Sequence, residues 1–347
     1  MKKVFAGLTA AAAVVAVPLA APAQNYVYEG VINVPVNAPL PMAADADGGL
    51  YTADFNEGGQ VIYIADPVAA IGTTDELPAE VGDVIFEVTG WPASRGLQGL
   101  QVDSAGNVYV SGDPGGATYI VKLTPAPDFE VDDDFEVAGA IRIGGVALLN
   151  DDVIAAAQFG SLYFYDTTTG AQLANVSGGT IYQREPVYNP TDDVFYCIVS
   201  GNNSNSLVRG YWSGGAPDNL AGYAFTAEEL ITDGSWGSPF GGATGNAYYD
   251  VANDWFITAD NDPEANVRQI RLWVPSAGGT ELTLAATIDG STPDADGDPP
   301  AFAIESTRDI VRIGDRLFVS STDNDGIIYV FIDEDAVVSV GDWSLYH

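Results

Sequence analysis

Cysteine and histidine are almost missing from this 347-residue sequence, and each shortage removes a kind of chemistry. Cys197 is the single cysteine, so no intrachain disulfide can form, and stability in an oxidising compartment must come from packing. Within Val194-Phe-Tyr-Cys-Ile-Val199 it reads as a small buried hydrophobe. His347, the last residue, is the single histidine. That leaves nothing for a Ser-His-Asp triad, for histidine acid-base catalysis or for a histidine-rich metal site. No phosphate-binding glycine motif leads from a strand into a helix, since Gly241-Gly-Ala-Thr-Gly245 enters a strand. Positive charge is scarce as well: 12 Lys and Arg face 48 Asp and Glu, a net charge of −36. Such a surface repels nucleic acid and anionic membranes and keeps the protein soluble. It suits either a saline habitat or the binding of divalent cations.

Long apolar runs are confined to the N-terminus. Met1-Lys2-Lys3, an apolar stretch from Val4 to Val17 and Ala21-Pro22-Ala23 ahead of Gln24 read as a secretory signal peptide over residues 1–23. No later run approaches the roughly 18 apolar residues that cross a bilayer. No cysteine follows the cleavage point, so a lipid anchor is not expected. The expectation is a secreted or periplasmic protein in which residues 24–347 form a single domain.

What is present in quantity is strand grammar. Gly99-Leu-Gln-Val-Asp-Ser-Ala-Gly-Asn-Val-Tyr-Val-Ser-Gly112 alternates apolar and polar residues, turns through Asp-Ser-Ala-Gly-Asn, and resumes as a β-branched and aromatic run. Relatives of this hairpin recur six times, with corresponding second-strand residues Tyr51, Tyr109, Ile154, Phe195, Phe256 and Phe318. Their spacings are 58, 45, 41, 61 and 62 residues, the shortest two in the range of roughly 40 to 50 that marks propeller blades. Middle strands such as Leu162-Tyr-Phe-Tyr165 and Ile327 to Ile332 are apolar on both faces, as sheets packed between two neighbours require. The expected fold is therefore all-β, a six-bladed β-propeller. Seven blades and a two-sheet sandwich are the alternatives. Closure needs a strand from the far end of the chain: Tyr26 to Val34 is one candidate to complete the last blade, and Ala336-Val-Val-Ser-Val340 competes for that place.

The pattern Asp-x-x-Gly-x-(Val/Leu)-Tyr, seen at Asp45, Gly48, Tyr51 and again at Asp103, Gly106, Tyr109, resembles the repeats of NHL-type and gluconolactonase-like propellers. The turn Tyr165-Asp-Thr-Thr-Thr-Gly170 resembles other propeller repeats. This likeness covers most of residues 24–347 as a grammar shared by many activities, and fold does not carry function. It implies that calcium could sit at the central funnel, held by carboxylate and amide side chains. Glu185, Asn246 and Glu305 have that chemistry at inner-strand entries, although no full ligand set aligns.

In such a ring the loops from each outer strand to the next inner strand surround the funnel mouth. Arg95, Arg142, Arg184 and Arg308 stand near equivalent points of four blades, four of the nine arginines in residues 24–347. They read either as a cationic collar for an anionic ligand or as charge balance for Glu185, Glu305 and Asp309. Trp91, Trp236 and Phe240 lie in the same class of loop, placed to stack on a sugar, meet a protein partner or plug a seam between blades. Asp294-Ala-Asp-Gly-Asp298 and Asp323-Asn-Asp-Gly326 alternate oxygen ligands around glycine, as calcium loops and solvated acidic turns both do. The stretch Val131-Asp-Asp-Asp-Phe-Glu136 reads as an exposed loop. The function these features suggest is a ligand- or protein-binding module acting through its loop face. The alternative is a calcium-dependent hydrolase or lactonase.

Overall fold

A computed structural model describes residues 26–55, 59–72, 77–88, 96–112, 119–137, 144–158, 160–178, 183–199, 208–228, 230, 247–262, 267–289, 307–321 and 326–334. The chain enters through β1 (Tyr26–Asn33) and then builds blades in order. Blade 1 is β2 (Pro39–Ala44), β3 (Leu50–Asp54), β4 (Gln60–Ile64) and β5 (Asp83–Glu87). Blade 2 is β6 (Leu97–Val102), β7 (Val108–Gly112) and β8 (Tyr119–Leu123), and blade 3 is β9 (Gly145–Asn150), β10 (Val153–Gln158), β11 (Ser161–Asp166) and β12 (Gln172–Ser177). Blade 4 comprises β13 (Gln183–Asn189), β14 (Val194–Val199), β15 (Val208–Ser213) and β16 (Ala224–Thr226). Blade 5 comprises β17 (Ala247–Asp250), β18 (Trp255–Asp262), β19 (Val267–Pro275) and β20 (Leu282–Asp289). Blade 6 takes β21 (Thr307–Ile313), β22 (Arg316–Ser321) and β23 (Ile327–Asp333) from the end of the chain and β1 from its beginning, in the order β1-β23-β22-β21.

This is a six-bladed β-propeller. The inner strands β2, β6, β9, β13, β17 and β21 contact one another in succession, and β21 returns to β2. The described residues supply six sheets, so the seven-blade and sandwich alternatives fall away. The N-terminal strand closes the ring, with Tyr26 opposite Asp333 and Asn33 opposite Ile327. The competing tail lies outside the described residues. Arg316 ties the closure from across β23, donating from Nε and Nη2 to the two carboxylate oxygens of Glu29 at 2.6 and 2.8 Å. That hydrogen bond raises the Arg316 pKa further above its ordinary value.

Hydrophobic residues collect at six seams, one between each pair of neighbouring blades. Tyr28, Ile257, Leu317 and Phe331 fill the seam between blades 5 and 6; Ile32, Leu50, Phe318 and Val330 fill that between blades 6 and 1. Because alternate residues of a strand face opposite seams, the middle strands must be apolar on both sides. Leu162, Phe164 and Tyr165 of β11 are all buried accordingly. Cys197 is buried in the seam between blades 3 and 4, as its strand context predicts.

The turn motif has a clear physical cause. Asp103 Oδ1 accepts from the backbone N–H of Ala105 and Asn107, while Oδ2 accepts from the Tyr109 hydroxyl at 3.1 Å and from Asn107 Nδ2. Asp45 does the same for Asp47 N–H, Gly49 N–H and the Tyr51 hydroxyl. Gly48 and Gly106 stand at φ of 89° and 85°, a region that glycine enters without the Cβ penalty. Thus the Asp-x-x-Gly-x-x-Tyr signature closes hairpins, and its carboxylates are spent on backbone amides.

Blade 2 departs from the rule, since its described strands number three. After β8 the described chain turns back to bridge Leu123 with Val131, flanked by hydrogen bonds from Thr124 N–H to Glu130 C=O and from Asp132 N–H to Lys122 C=O, then crosses to blade 3, where Glu136 N–H donates to Thr169 C=O. The expected exposed loop at 131–136 is corrected in part. Val131 is exposed, but Phe135 is buried edge-on against Tyr109 in the seam between blades 2 and 3.

Candidate functional site

The inner strands of all six blades line one axial space of about 400 Å³. Half-buried Gln101, Leu148, Tyr188, Tyr248 and Arg312 reach it from blades 2 to 6, and Asp45 with its neighbours closes it from blade 1. This described end of the channel lies at the turns that join inner strands to second strands. Two tyrosine rings, an amide, a guanidinium and a carboxylate around one cavity can hold a small polar molecule by stacking and hydrogen bonding.

The titratable groups here already have partners. Tyr188 donates to Asp193 Oδ1 at 2.9 Å, and the Tyr223 hydroxyl donates to the same oxygen. One blade on, Tyr249 donates to Asp254 and lies 3.1 Å from Thr191 Oγ1. Asp193 and Asp254 both adopt φ of 57°, so blades 4 and 5 share a second turn device, a tyrosine followed five residues later by a left-handed aspartate. Burial, reinforced by the adjacent carboxylate, pushes the hydroxyl pKa of Tyr51, Tyr109, Tyr188, Tyr223 and Tyr249 above its ordinary value, so each stays a protonated donor. Burial pushes Tyr248 up to about 12.

Arg312 spans the seam between blades 5 and 6. Its Nη1 meets Asp250 Oδ2 at 2.5 Å and its Nε donates to Gly314 C=O at 2.8 Å. Asp250 is only 2% exposed, and its Oδ1 accepts from Ala252 N–H. Other seams carry their own polar ties. Ser104 donates from its backbone N–H and hydroxyl to Asp151 at 3.0 and 2.6 Å between blades 2 and 3, and Gly278 N–H donates to Asp192 between blades 5 and 4. Between blades 6 and 1, buried Asp309 accepts from Met42 N–H at 2.6 Å and from Ile310 N–H. Asp309, read beside Arg308 as a charge partner, thus also serves backbone amides.

Three surface carboxylates, Asp151 among them, respond to acid in a predictable way. Hydrogen bonds from Ser104, from Thr169 and from Lys122 hold the pKa of Asp151, Asp166 and Asp132, respectively, below its ordinary value. Folded values below unfolded ones mean a stabilising contribution that is full at neutral pH and lost as pH falls through the folded values. A Ser104→Ala protein is thus expected to melt below the parent at pH 7, with the gap closing as the pH falls through the depressed Asp151 value. Melting curves from pH 7 to pH 2.5 check this; a gap of constant size would refute the assignment to Asp151.

The loop-face candidates occupy a different part of the chain. Trp91, Arg95, Arg142, Trp236, Phe240, Asn246 and Glu305 lie outside the described residues, as do 294–298 and 323–325. Arg184 and Glu185 belong to β13 and Arg308 to β21, and only their backbones are described. Among the described residues no group of three or more His, Cys, Asp and Glu side chains is arranged to hold a metal ion. Nor is any helix of the described residues long and apolar enough to cross a membrane. Sequence reasoning missed Arg312, Tyr188 and Tyr248. All three lie on inner strands and line the axial space, but nothing in the residue order sets them apart from their neighbours on those strands.

No protein-family model and no curated protein matches the chain. Solved structures match in fold. A gluconolactonase from Xanthomonas campestris superposes with a TM-score of 0.55 at 10% identity, covering 88% of this chain and 87% of that one. The PQQ-bound aldose sugar dehydrogenase from Streptomyces coelicolor gives 0.52 at 15% identity, covering 90% and 99%. A chain of the mitotic checkpoint complex gives 0.53 at 11% identity, covering 95% and 98%. These neighbours share an architecture across unlike activities, and at such identities the likeness is one of fold.

Proposed function

We propose that this six-bladed propeller is a secreted or periplasmic binding module that takes a small polar ligand, of the saccharide or small-anion class, on its axis. The observation that carries the reading is the 400 Å³ channel shared by all six inner strands, in which the described titratable side chains are already committed to turns and seams. Such a lining offers hydrogen bonds and aromatic faces, with no poised general base among the described residues. Arg95, Arg142, Arg184 and Arg308, with Trp91 and Trp236, are proposed to surround the opposite, loop-face mouth and to draw an anionic ligand into the channel. A panel of monosaccharides, sugar acids and lactones screened by thermal shift on residues 24–347 tests the proposal. At least one compound should raise the melting temperature, and Gln101→Leu should abolish that shift while the variant alone still melts cooperatively. A shift unaffected by Gln101→Leu and Arg142→Ala, or steady turnover of any compound, would overturn it.

A second reading rests on backbone placement. Glu185 lies in β13, and Asn246 and Glu305 come just before β17 and β21, the entries of three successive inner strands. Together they suit calcium, which would polarise a lactone carbonyl in a hydrolase. The fold shared with the Xanthomonas gluconolactonase motivates this alternative.

A further inference from the structure

We infer that the rim groove between blades 1 and 2 is a binding site for a small organic ammonium ion, separate from the axial channel. The groove has a volume of about 590 Å³ and is lined by Tyr63, Asp83, Val84 and Ile85 of blade 1 and by Ala126 to Phe129 of blade 2. Its origin is the irregularity of blade 2. After β8 the chain turns back through 125–129, and among the described residues only the short return at 130–132, bridged at Val131 to Leu123, takes the place that a full fourth strand holds in the other blades. The outer strand of blade 1 therefore faces a loop, and the gap between them is filled only in part.

The walls of that gap have a definite chemistry. Tyr63 and Asp83 are direct cross-strand partners of β4 and β5. Phe129 stands opposite, with its ring 5.2 Å from that of Tyr63 and 6.3 Å, edge-on, from that of Tyr51. The Tyr63 ring is fixed from behind, because it lies over Gly49, where even a Cβ would come within 2.6 Å of it. Phe129 holds φ of 48°, a left-handed conformation that costs a bulky residue free energy and persists where surroundings over-determine it. It stands at the end of the turn that follows β8, where its N–H donates to Pro125 C=O at 3.4 Å and Thr124 N–H donates to Glu130 C=O at 2.8 Å. Exposed Asp83 and Asp128 flank the two rings, and neither carboxylate is engaged by another described side chain.

Aromatic faces flanked by exposed carboxylates complement a cation with an apolar shell. The ring quadrupoles attract the charge, the apolar wall of Val84 and Ile85 accepts the methyl groups, and the carboxylates add longer-range attraction. A metal ion is the wrong guest, since two exposed carboxylates leave most of its coordination sphere empty. An anion would meet Asp83 and Asp128 head-on.

The test is calorimetric titration of residues 24–347 with choline chloride at fixed ionic strength, beside its neutral carbon isostere 3,3-dimethyl-1-butanol. Choline should saturate one site, with the isostere weaker by about tenfold, the factor that a cation-aromatic contact of roughly 1.4 kcal/mol supplies. Phe129→Gly keeps the backbone conformation available and removes a ring, so it should weaken choline by a similar factor. Asp83→Asn combined with Asp128→Asn should weaken choline and leave the isostere unchanged; melting curves confirm that both variants are folded. Equal affinity for choline and the isostere, choline binding indifferent to both variants, or no saturable binding at all would overturn the inference.

Discussion

A chain beginning at Pro35 is expected to lose cooperative folding, because it lacks the outer strand of blade 6. Tyr26, Val27, Tyr28, Val31 and Ile32 of β1 are each at most 7% exposed, and they face the seams on both sides of that blade. At about 1.5 to 3 kcal/mol per buried side chain, their loss amounts to roughly 8 to 15 kcal/mol. That is the size of the whole net stability of an ordinary domain. The bidentate pair of Arg316 with Glu29 disappears with them, as does the ladder from Tyr26 to Asn33. Circular dichroism melts of residues 35–347 and 24–347 make the comparison. A synthetic peptide of residues 24–34 added in trans should restore part of the transition. A shortened chain that melts within a few degrees of the parent would show that closure is achieved some other way.

Breaking the pair of Arg312 with Asp250 is the second large effect. Replacing Arg312 by methionine keeps the aliphatic stem and strands a carboxylate that is 2% exposed, a change that costs about 3 to 5 kcal/mol when a buried partner is removed. Adding Asp250→Asn removes the stranded charge and retains acceptors for Ala252 N–H, so the double variant should recover more than half of the loss. Denaturant unfolding of the two single variants and the double variant forms the cycle. Additive losses would mean that the two side chains do not couple across the seam.

Much of the ring was legible in residue order because its signals are local. An aspartate three residues before a glycine and six before a tyrosine makes its hydrogen bonds inside one hairpin, so Asp45 and Asp103 announce themselves. Apolar middle strands likewise follow from double burial. Other features depend on distant partners. Arg312 bonds 62 residues back, Arg316 reaches 287 residues to Glu29, and Asp309 caps an amide 267 residues away; nothing in the flanking residues marks them. The three-stranded form of blade 2 among the described residues was hidden for a related reason. Val131-Asp-Asp-Asp-Phe-Glu136 is too acidic to read as a strand, yet burial of Phe135 beside Tyr109 makes it part of the seam. The tyrosine followed by aspartate five residues later, at Tyr188 and Tyr249, was readable in principle, but its meaning required the left-handed turn.

Calorimetric titration of calcium into chelator-treated residues 24–347, repeated with Glu185→Ala, tests binding against catalysis most directly. The account of a binding module predicts weak, multiple association from the acidic surface, superimposable for the two proteins. One micromolar-class site abolished by Glu185→Ala would contradict it and make the funnel a calcium centre.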